Sequence, residues 1–206
     1  MLSFNELEKG VDIIIDNQPY RILEASHLFK GRGHSVLQAR LRNLISCNII
    51  SKTIHPSENF EEAEIKKIEA KFLYSYSVRE KFSNGASRRK FIFCKKDNPR
   101  DRFELLQEQI DRAVYFLKPG QEVQGLMFQD KIINIILPIK VKLKVIEVSP
   151  GIKGDRAQGG TKVIILETGA KINAPLFIKE GDIVEINTEN GEYVRRIEST
   201  PLKEDS

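Results

Sequence analysis

The chain has 206 residues, of which 40% are hydrophobic and 30% charged, with a formal net charge of +4 at pH 7. This composition is typical of a soluble globular protein, and no run of about 18 apolar residues is present to cross a membrane. Residues 1–10 carry acids and no apolar stretch, so we expect no secretory signal. Cys47 and Cys94 lie far apart, which favours reduced thiols and a cytoplasmic protein.

Residues 1–64 are predicted to form a small barrel of the SH3-like type. The expected strands are residues 11–15, 20–25, 36–43 and 49–53. In residues 36–43, Leu37, Ala39 and Leu41 alternate with polar side chains, which is typical of a half-buried strand. Several short strands in about sixty residues favour a barrel over a helical domain.

A basic, glycine-rich loop, residues 27–35, joins two of these strands. Between residues 20 and 55 there are six cations and one acid, a balance that suits a polyanion such as RNA. Gly31 and Gly33 flank Arg32 and allow the backbone to turn sharply and project that side chain. Arginine offers a charged planar fork for phosphates and base edges. From composition alone, a solvated hairpin tip is the simpler interpretation.

Residues 65–130 are predicted to form an OB-type barrel, in which strands enclose a single helix. Residues 68–78 and 90–96 are the expected strands, and Asn84 with Gly85 fits a hairpin turn between them. One helix is expected over residues 107–117. Its apolar stripe has the spacing i, i+4 and i+7, formed by Ile110, Val114 and Leu117.

Residues 131–206 are predicted to form a second OB-type barrel, built from short strands and glycine turns. In residues 140–145, Lys140, Lys142 and Lys144 alternate with aliphatic side chains, so we expect one lysine face and one apolar face. The junction at residues 61–67 offers little flexible linker, and we expect the first two blocks to pack together. The sequence therefore predicts a mostly β chain with domains at 1–64, 65–130 and 131–206.

Signals for catalysis or metal binding are weak in this sequence. It has no phosphate-binding P-loop, no nucleophile elbow and no zinc-protease motif. Gly31 and Gly33 do not begin a dinucleotide fingerprint, because Val36 stands at the third glycine position. The three histidines lack the spacing of helical metal ligands. We expect no enzyme activity, no cofactor and no metal.

Six short motifs follow one another in the last quarter of the chain: PGIKGD at 150–155, GGTK at 159–162, ETGA at 167–170, PLFI at 175–178, EGD at 180–182 and GEYVRR at 191–196. In this order they resemble the C-terminal region of bacterial elongation factor P. Upstream, residues 72–75, 116–120 and 136–138 are similar to pieces of the family's central region. Residues 77–101 are more diverged and more basic.

The same family resemblance extends to the basic loop. Arg40-Leu41-Arg42-Asn43 resembles the family's strand end, and counting back without a gap places Lys30-Gly31-Arg32-Gly33 on the family's functional tip. Arg32 then occupies the position of the functional lysine. The family carries either an extended lysine or a rhamnosylated arginine there. The arginine members usually have a Ser-Gly-Arg-Asn tip, which this chain lacks, so the modification and its enzyme stay open.

The resemblance implies a translation elongation factor with an SH3-like (KOW-type) barrel and two OB-fold barrels in an L-shaped, tRNA-like arrangement. Such a factor contacts both ribosomal subunits beside the P-site peptidyl-tRNA and stimulates peptide-bond formation at consecutive prolines. It implies a monomer without a membrane partner. Arg32 would be the tip residue and the target of a modification enzyme. RNA contacts would come from Lys30, Gly31, Gly33, His34, Arg40 and Arg42.

Three other interpretations remain at this stage. The elongation-factor-P-like paralogue also has an arginine near its tip, but its C-terminal motifs depart from ETG and GEY. The hypusine-containing archaeal and eukaryotic initiation factor lacks a third domain and uses lysine. A generic OB-fold RNA binder should expose aromatic residues, whereas this chain has no tryptophan and 8% aromatics, and an enzyme should show a convergent polar cluster.

Overall fold

The computed structural model describes residues 1–30, 34–79, 87–149 and 160–198. These residues form three sheets of five strands each, which confirms the prediction of a mostly β chain. By contacts the chain divides into two compact units. One comprises Met1–Ala70, Ser75–Asp111 and Gln124–Ile136, and the other comprises Lys71–Tyr74, Arg112–Val123 and Leu137–Ser206.

The first sheet has the strand order β4-β3-β2-β1-β5. Its strands are β1 (Asp12–Ile15), β2 (Gln18–Lys30), β3 (His34–Asn43), β4 (Ile49–Ile54) and β5 (Glu61–Glu62). Asp16 and Asn17 have positive φ angles of 51° and 60° and close the turn between β1 and β2. The core beneath this sheet includes Phe4, Leu7, Ile13, Ile22 and Ile54.

The second sheet has the order β10-β9-β6-β7-β8. Its strands are β6 (Lys66–Arg79), β7 (Ser87–Lys95), β8 (Arg102–Leu106), β9 (Glu122–Phe128) and β10 (Lys131–Ile136). The hairpin turn expected at Asn84 and Gly85 lies outside the described residues. The third domain was expected to begin at residue 131, but β10 pairs with β9, since Gln129 and Asp130 adopt the positive φ angles of a tight hairpin turn.

The prediction of one α-helix over residues 107–117 is wrong for most of that range. Only α1 (Gln107–Ile110) is α-helical, and a 3₁₀ helix follows at Asp111–Phe116. Ile110 and Leu117 at the two ends of the expected stripe are buried, whereas Val114 between them is only partly buried. Asp111 has φ 54° and ψ −131°, which breaks the i to i−4 hydrogen-bond ladder after one turn.

The third sheet has the order β13-β12-β11-β14-β15. Its strands are β11 (Lys140–Val148), β12 (Thr161–Leu166), β13 (Lys171–Pro175), β14 (Ile183–Asn187) and β15 (Glu192–Glu198). The alternation predicted for β11 is confirmed, because its lysines are exposed and Val141, Leu143 and Val145 are buried. The motif residues 150–159 lie outside the described residues.

The expectation that the first two blocks pack together is confirmed within the first unit. Leu44 and Ala63 of the first block join Leu126, Phe128 and Ile133 in one buried cluster. Burial of such side chains against one another stabilises the joint by roughly 25 cal/mol for each Å² of apolar surface removed from water. The first sheet therefore packs against the second next to Leu44, at the base of the long hairpin.

Candidate RNA interface

The basic segment of the first block forms the long hairpin of β2 and β3. The strands are antiparallel, with a register that runs from Tyr20 opposite Asn43 to Lys30 opposite His34. Leu37 and Leu41 are fully buried, whereas Arg40 is exposed on the other face of β3. The period-two pattern of β3 thus places its aliphatic side chains in the core and Arg40 in solvent.

The expected tip residues Gly31, Arg32 and Gly33 lie outside the described residues. Lys30 and His34 are direct partners in the last described pair of the hairpin. Arg40 is six residues from His34 on an extended strand, a separation of about 20 Å. The structure therefore brings Lys30 and His34 together, and it places Arg40 and Arg42 near the opposite end of the same hairpin.

Arg40 forms an ion pair with Glu24, its cross-strand neighbour on β2. The distance from Arg40 Nη1 to Glu24 Oε1 is 3.2 Å, and the two side chains are 50% and 64% exposed. Exposed pairs of this kind contribute about 0–1 kcal/mol, because water screens the attraction and both side chains lose rotamer entropy. The Glu24 carboxylate can therefore be displaced by a competing phosphate at little cost.

Arg42 pairs with Asp111, which follows α1 in the second block. Arg42 Nη2 donates to Asp111 Oδ2 at 3.2 Å. The unusual backbone angles that end α1 occur at the residue that meets Arg42. Arg42 therefore contacts the second block at the joint between the first two blocks.

Two other cations of the segment are also matched by carboxylates. Arg21 Nε and Nη2 donate to the two Asp12 carboxylate oxygens at 2.8 and 2.7 Å, and this hydrogen bonding raises the pKa of Arg21. Lys52 Nζ lies 3.4 Å from Glu58. The pKa of Glu58 is lowered mainly by a hydrogen bond that the backbone N–H of His55 donates to it.

Sequence reasoning missed these carboxylates because it considered residues 20–55 as an isolated segment. Asp12, Glu58 and Asp111 lie outside that range, and the fold brings them to its arginines and lysine. The surface of residues 20–55 is consequently less positive than their six-to-one ratio of cations to acids suggests. Alternation on β1 would have placed Asp12 near Arg21 once the hairpin register was known, whereas nothing local pointed to Asp111.

A buried amide holds the base of this hairpin. Asn134 on β10 is 7% exposed, and its Nδ2 donates to the Leu44 carbonyl at 3.0 Å and to Cys47 Sγ at 3.2 Å. The Cys47 thiol donates in turn to the Gln109 carbonyl at 3.0 Å. A buried polar group is retained only when its hydrogen bonds are satisfied, which marks Asn134 as a positioning residue. Its sequence signal was one asparagine in the apolar run 132–136.

No cluster of three or more histidine, cysteine or acidic side chains suited to a metal occurs in the described part of the chain. Among the same residues, no helix is long and apolar enough to cross a membrane.

Two family models match the chain, and they cover most of its first and third sheets. Residues 3–60 match "Elongation factor P (EF-P) KOW-like domain", and residues 141–196 match "Elongation factor P, C-terminal". Elongation factor P of Carboxydothermus hydrogenoformans is 34% identical over 197 residues, covering 96% of this chain and 100% of the relative. The chain belongs to the elongation factor P family. It is a translation elongation factor, and the resemblance drawn from the sequence motifs is confirmed.

A second relative supports the same membership of the elongation factor P family. Elongation factor P of Synechococcus sp. strain JA-3-3Ab is 36% identical over 196 residues, 95% of this chain and 100% of the relative. Among solved structures, a protein titled eukaryotic translation initiation factor 5A from Methanococcus jannaschii is similar with a TM-score of 0.47 and 17% identity. That similarity covers 66% of this chain and 92% of the other.

Proposed function

We propose that this elongation factor binds the ribosome beside the P-site peptidyl-tRNA, contacting both subunits, and relieves stalling at consecutive prolines. The observation that carries this proposal is family membership over 95% or more of the chain. The factor acts by positioning and carries out no chemistry of its own. Proline is a rigid participant in peptide-bond formation, and holding the tRNA end in place favours a near-attack geometry.

Arg32 is the proposed tip residue, with Lys30, Gly31, Gly33 and His34 around it. The paired strands β2 and β3 support this tip, because their ladder continues to Lys30 and His34. A residue carried on a long two-stranded arm can reach a partner that the barrel itself does not touch. Arg32 is also the proposed target of a modification enzyme, since the family modifies that position.

Arg40 and Arg42 are the proposed RNA contacts lower on the hairpin. Both arginines form exposed pairs with a carboxylate, at 3.2 Å in each case. Phosphate can replace each carboxylate, because the pairs are weak and RNA binding releases condensed counterions. The two arginines therefore switch partners on binding, from Glu24 and Asp111 to RNA.

The remaining elements of the proposal follow from the sequence and its family. We propose a cytoplasmic monomer that uses no cofactor, no metal and no membrane. We propose three domains, with the first boundary near residue 64. The strand pairing of β10 supports moving the second boundary from residue 130 to the segment between Ile136 and Lys140.

Synthesis of a reporter with three consecutive prolines, in a strain lacking the native factor, tests the proposed function. Arg32→Ala should slow this synthesis, and Arg32→Lys should also fail if the arginine is modified or acts as a planar fork. Arg102→Ala is the matched control, since Arg102 is an exposed arginine on β8. Wild type and control should both restore synthesis, while neither affects a reporter without prolines.

Each outcome of the proline reporter discriminates between explanations. Full activity of Arg32→Ala would show that the wrong residue was chosen, and Lys30 would be the next candidate. Retention of activity by Arg32→Lys would reduce the role of the side chain to a positive charge. Failure of the wild-type chain would overturn the proposed function. The intact mass of the chain from its native host then reports whether Arg32 is modified.

The salt dependence of ribosome binding tests the proposed partner switch. Loss of both arginines in Arg40→Gln/Arg42→Gln should reduce the steepness of log K against log salt by about 1.4 to 1.8, since each phosphate contact contributes about 0.7–0.9. Glu24→Gln should strengthen binding, because it removes the carboxylate that competes for Arg40. An unchanged slope, or weaker binding of Glu24→Gln, would exclude this face from RNA contact.

A further inference from the structure

The ETGA motif at residues 167–170 helped to identify the family, but the proposed function gives it no role. The motif forms the turn between β12 and β13. Gly169 has a positive φ of 83° there, and its backbone N–H donates to the Leu166 carbonyl at 2.7 Å. This backbone requires only the glycine, because Glu167 and Thr168 have ordinary φ angles. Their side chains must be explained by their own contacts.

Both side chains contact the end of the 3₁₀ helix and the turn that follows it. Thr168 Oγ1 donates to the Tyr115 carbonyl at 2.6 Å. Lys118 Nζ donates to the Lys142 carbonyl on β11 at 2.8 Å and lies 3.5 Å from Glu167 Oε1. We call the side chains of Lys118, Glu167 and Thr168 the clasp, because they connect this segment to the third sheet.

The segment that the clasp contacts is also hydrogen bonded to the second sheet. The Gly120 N–H donates to the Phe72 carbonyl on β6 at 2.8 Å, and the Phe72 N–H donates to the Gln121 carbonyl at 2.9 Å. These residues, the clasp and the third sheet belong to the same compact unit. Within that unit, residues 115–121 therefore connect β6 of the second sheet with β11 and the β12–β13 turn of the third.

Apolar packing between this segment and the third sheet is incomplete. The Phe116 ring is buried, and its Cζ would lie 3.5 Å from a Cβ at Gly191, in the β14–β15 turn. Beside this contact lies a groove of about 500 Å³, whose walls include Tyr115, Ala170 and Ile172. An unfilled groove lacks the dispersion contacts that a closely packed interface would supply. The hydrogen bonds of the clasp are therefore needed to hold the segment on the sheet.

The clasp is built to favour one arrangement without locking it. Glu167 Oε1 accepts a hydrogen bond from the Lys144 backbone N–H at 3.1 Å, which keeps the carboxylate close to the Lys118 ammonium group. The Lys118 and Glu167 side chains are 40% and 35% exposed, so water competes with their ion pair. Loss of one such hydrogen bond changes an opening equilibrium by about 2- to 10-fold. Several weak contacts of this kind hold the segment only when they act together.

We infer that Lys118, Glu167 and Thr168 are positioning residues, which hold the third sheet on residues 115–121 while the factor works. The ETGA motif acts through these contacts inside the molecule. The expected effect on translation rests on the proposed function, whereas the clasp itself does not.

Distances between spin labels at position 71 on β6 and position 173 on β13, both exposed, test the clasp. The labels are carried by noncanonical amino acids, so that the two cysteines keep their thiols. Wild type should give one narrow distance distribution. Thr168→Val/Lys118→Met removes both side-chain donors and should broaden it, and Thr168→Ser/Lys118→Arg, which keeps both donors, should restore the wild-type width. Thr161→Val, at an exposed threonine of β12, is the matched control and should leave it narrow.

Amide hydrogen exchange separates opening of the clasp from a general loss of stability. In Thr168→Val, amides of residues 112–118 should exchange about 2- to 10-fold faster, because one hydrogen bond is lost. Amides of β12 and β14 should keep their rates. This single variant provides the measurement even if the double variant fails to fold. Unchanged exchange in residues 112–118, equal acceleration throughout the third sheet, or an unchanged distance distribution in a folded double variant would overturn the inference.

The proline reporter connects the clasp with translation. Thr168→Val/Lys118→Met should slow synthesis through consecutive prolines, and Thr168→Ser/Lys118→Arg should restore it. A broad distance distribution together with full reporter synthesis would show that the clasp does not position the factor for its work, and it would overturn the inference. Failure of the wild-type chain would overturn the proposed function alone, because the distance and exchange measurements use no ribosome.

Discussion

Strand β3 of the first sheet and strand β11 of the third sheet have the same sequence pattern but different electrostatic surroundings. Both alternate aliphatic residues with cations, and in both the aliphatic side chains are buried: Leu37, Ala39 and Leu41 in β3, and Val141, Leu143 and Val145 in β11. On β3 the arginines meet carboxylates at 3.2 Å, whereas no ion pair is formed by the lysines of β11 among the described residues.

The difference arises because burial depends on the residues of one strand, whereas charge pairing depends on residues that are far away in the sequence. Whether a side chain faces the core depends on its own strand, since successive residues point to opposite faces. Its ionic partner depends on the register with other strands. Arg40 meets Glu24 across the hairpin, and Arg42 meets Asp111 of the helical segment after β8, while Arg195 occupies the one carboxylate opposite Lys142.

The largest expected effect tests the feature that β3 and β11 share, which is the burial of their aliphatic side chains. Leu41→Ala and Leu143→Ala should each lower the free energy of unfolding by about 2–5 kcal/mol, because both side chains are fully buried and truncation leaves a cavity. Urea unfolding, followed by far-UV circular dichroism and amide exchange, measures this loss. Gln38→Ala and Lys142→Ala are the neighbouring exposed controls. A loss below 1 kcal/mol for either leucine would show that its strand does not contribute to a packed core.

The sequence predicted the burial side of both strands, because alternation is a local property. It also predicted the family, from motifs that are contiguous in the chain, and the packing of the first two blocks. It did not predict the early end of α1, because the positive φ at Asp111 has no signal in an apolar stripe. It also separated β10 from the second sheet, because a boundary at residue 130 divides the Gln129–Asp130 hairpin turn.

The candidate site was less predictable than the fold. The sequence selected Arg40 and Arg42 from their positive charge, but their partners Glu24 and Asp111 became visible only in the structure. The buried Asn134 was missed, since its partners Leu44 and Cys47 are far away in sequence. Long-range hydrogen bonds of this kind require the register between sheets, which alternation within one strand does not contain.

Asn134 provides the next largest effect and tests whether the first hairpin has a fixed base. Asn134→Ala should lower the free energy of unfolding by about 1–3 kcal/mol, because it leaves the buried Leu44 carbonyl without its donor. Amide exchange in residues 44–47 should speed up at the same time. Asn173→Ala, an exposed asparagine on β13, should change stability by less than about 0.5 kcal/mol. Equal effects at both sites would contradict a positioning role.

A smaller, pH-dependent effect is expected at the pair that separates Glu185 from the lysines. The hydrogen bond from Arg195 lowers the pKa of Glu185 below its ordinary value of 4.5. Ionised Glu185 therefore stabilises the fold above about pH 4.5, and this contribution is lost as the pH falls through the lowered pKa. Arg195→Ala should raise that pKa and reduce the loss of stability between pH 7 and pH 3.

Carboxyl NMR titration and urea unfolding at several pH values measure the effect of Arg195→Ala. In a Glu185→Gln background the substitution should have no pH-dependent effect, which provides the control. Arg195→Ala also leaves Lys142 as the cation opposite Glu185. Strand β11 would then have a cross-strand pair of a cation and a carboxylate, as β3 has in Arg40 and Glu24. An unchanged Glu185 pKa would show that the lysines, rather than Arg195, already hold its charge.

The smallest effect is expected where the two strands differ most in charge pairing. Arg40→Ala should change the free energy of unfolding by no more than about 0.5 kcal/mol, although it breaks the pair with Glu24. Both side chains are at least half exposed, so water replaces the lost contact at little cost. Lys142→Ala, which breaks no ion pair, should have an equally small effect, and added salt should not separate the two variants. A loss above 1 kcal/mol for Arg40→Ala alone would mean that the hairpin pair is structural. Arg40 would then be held by Glu24 and could not exchange its partner for RNA phosphate.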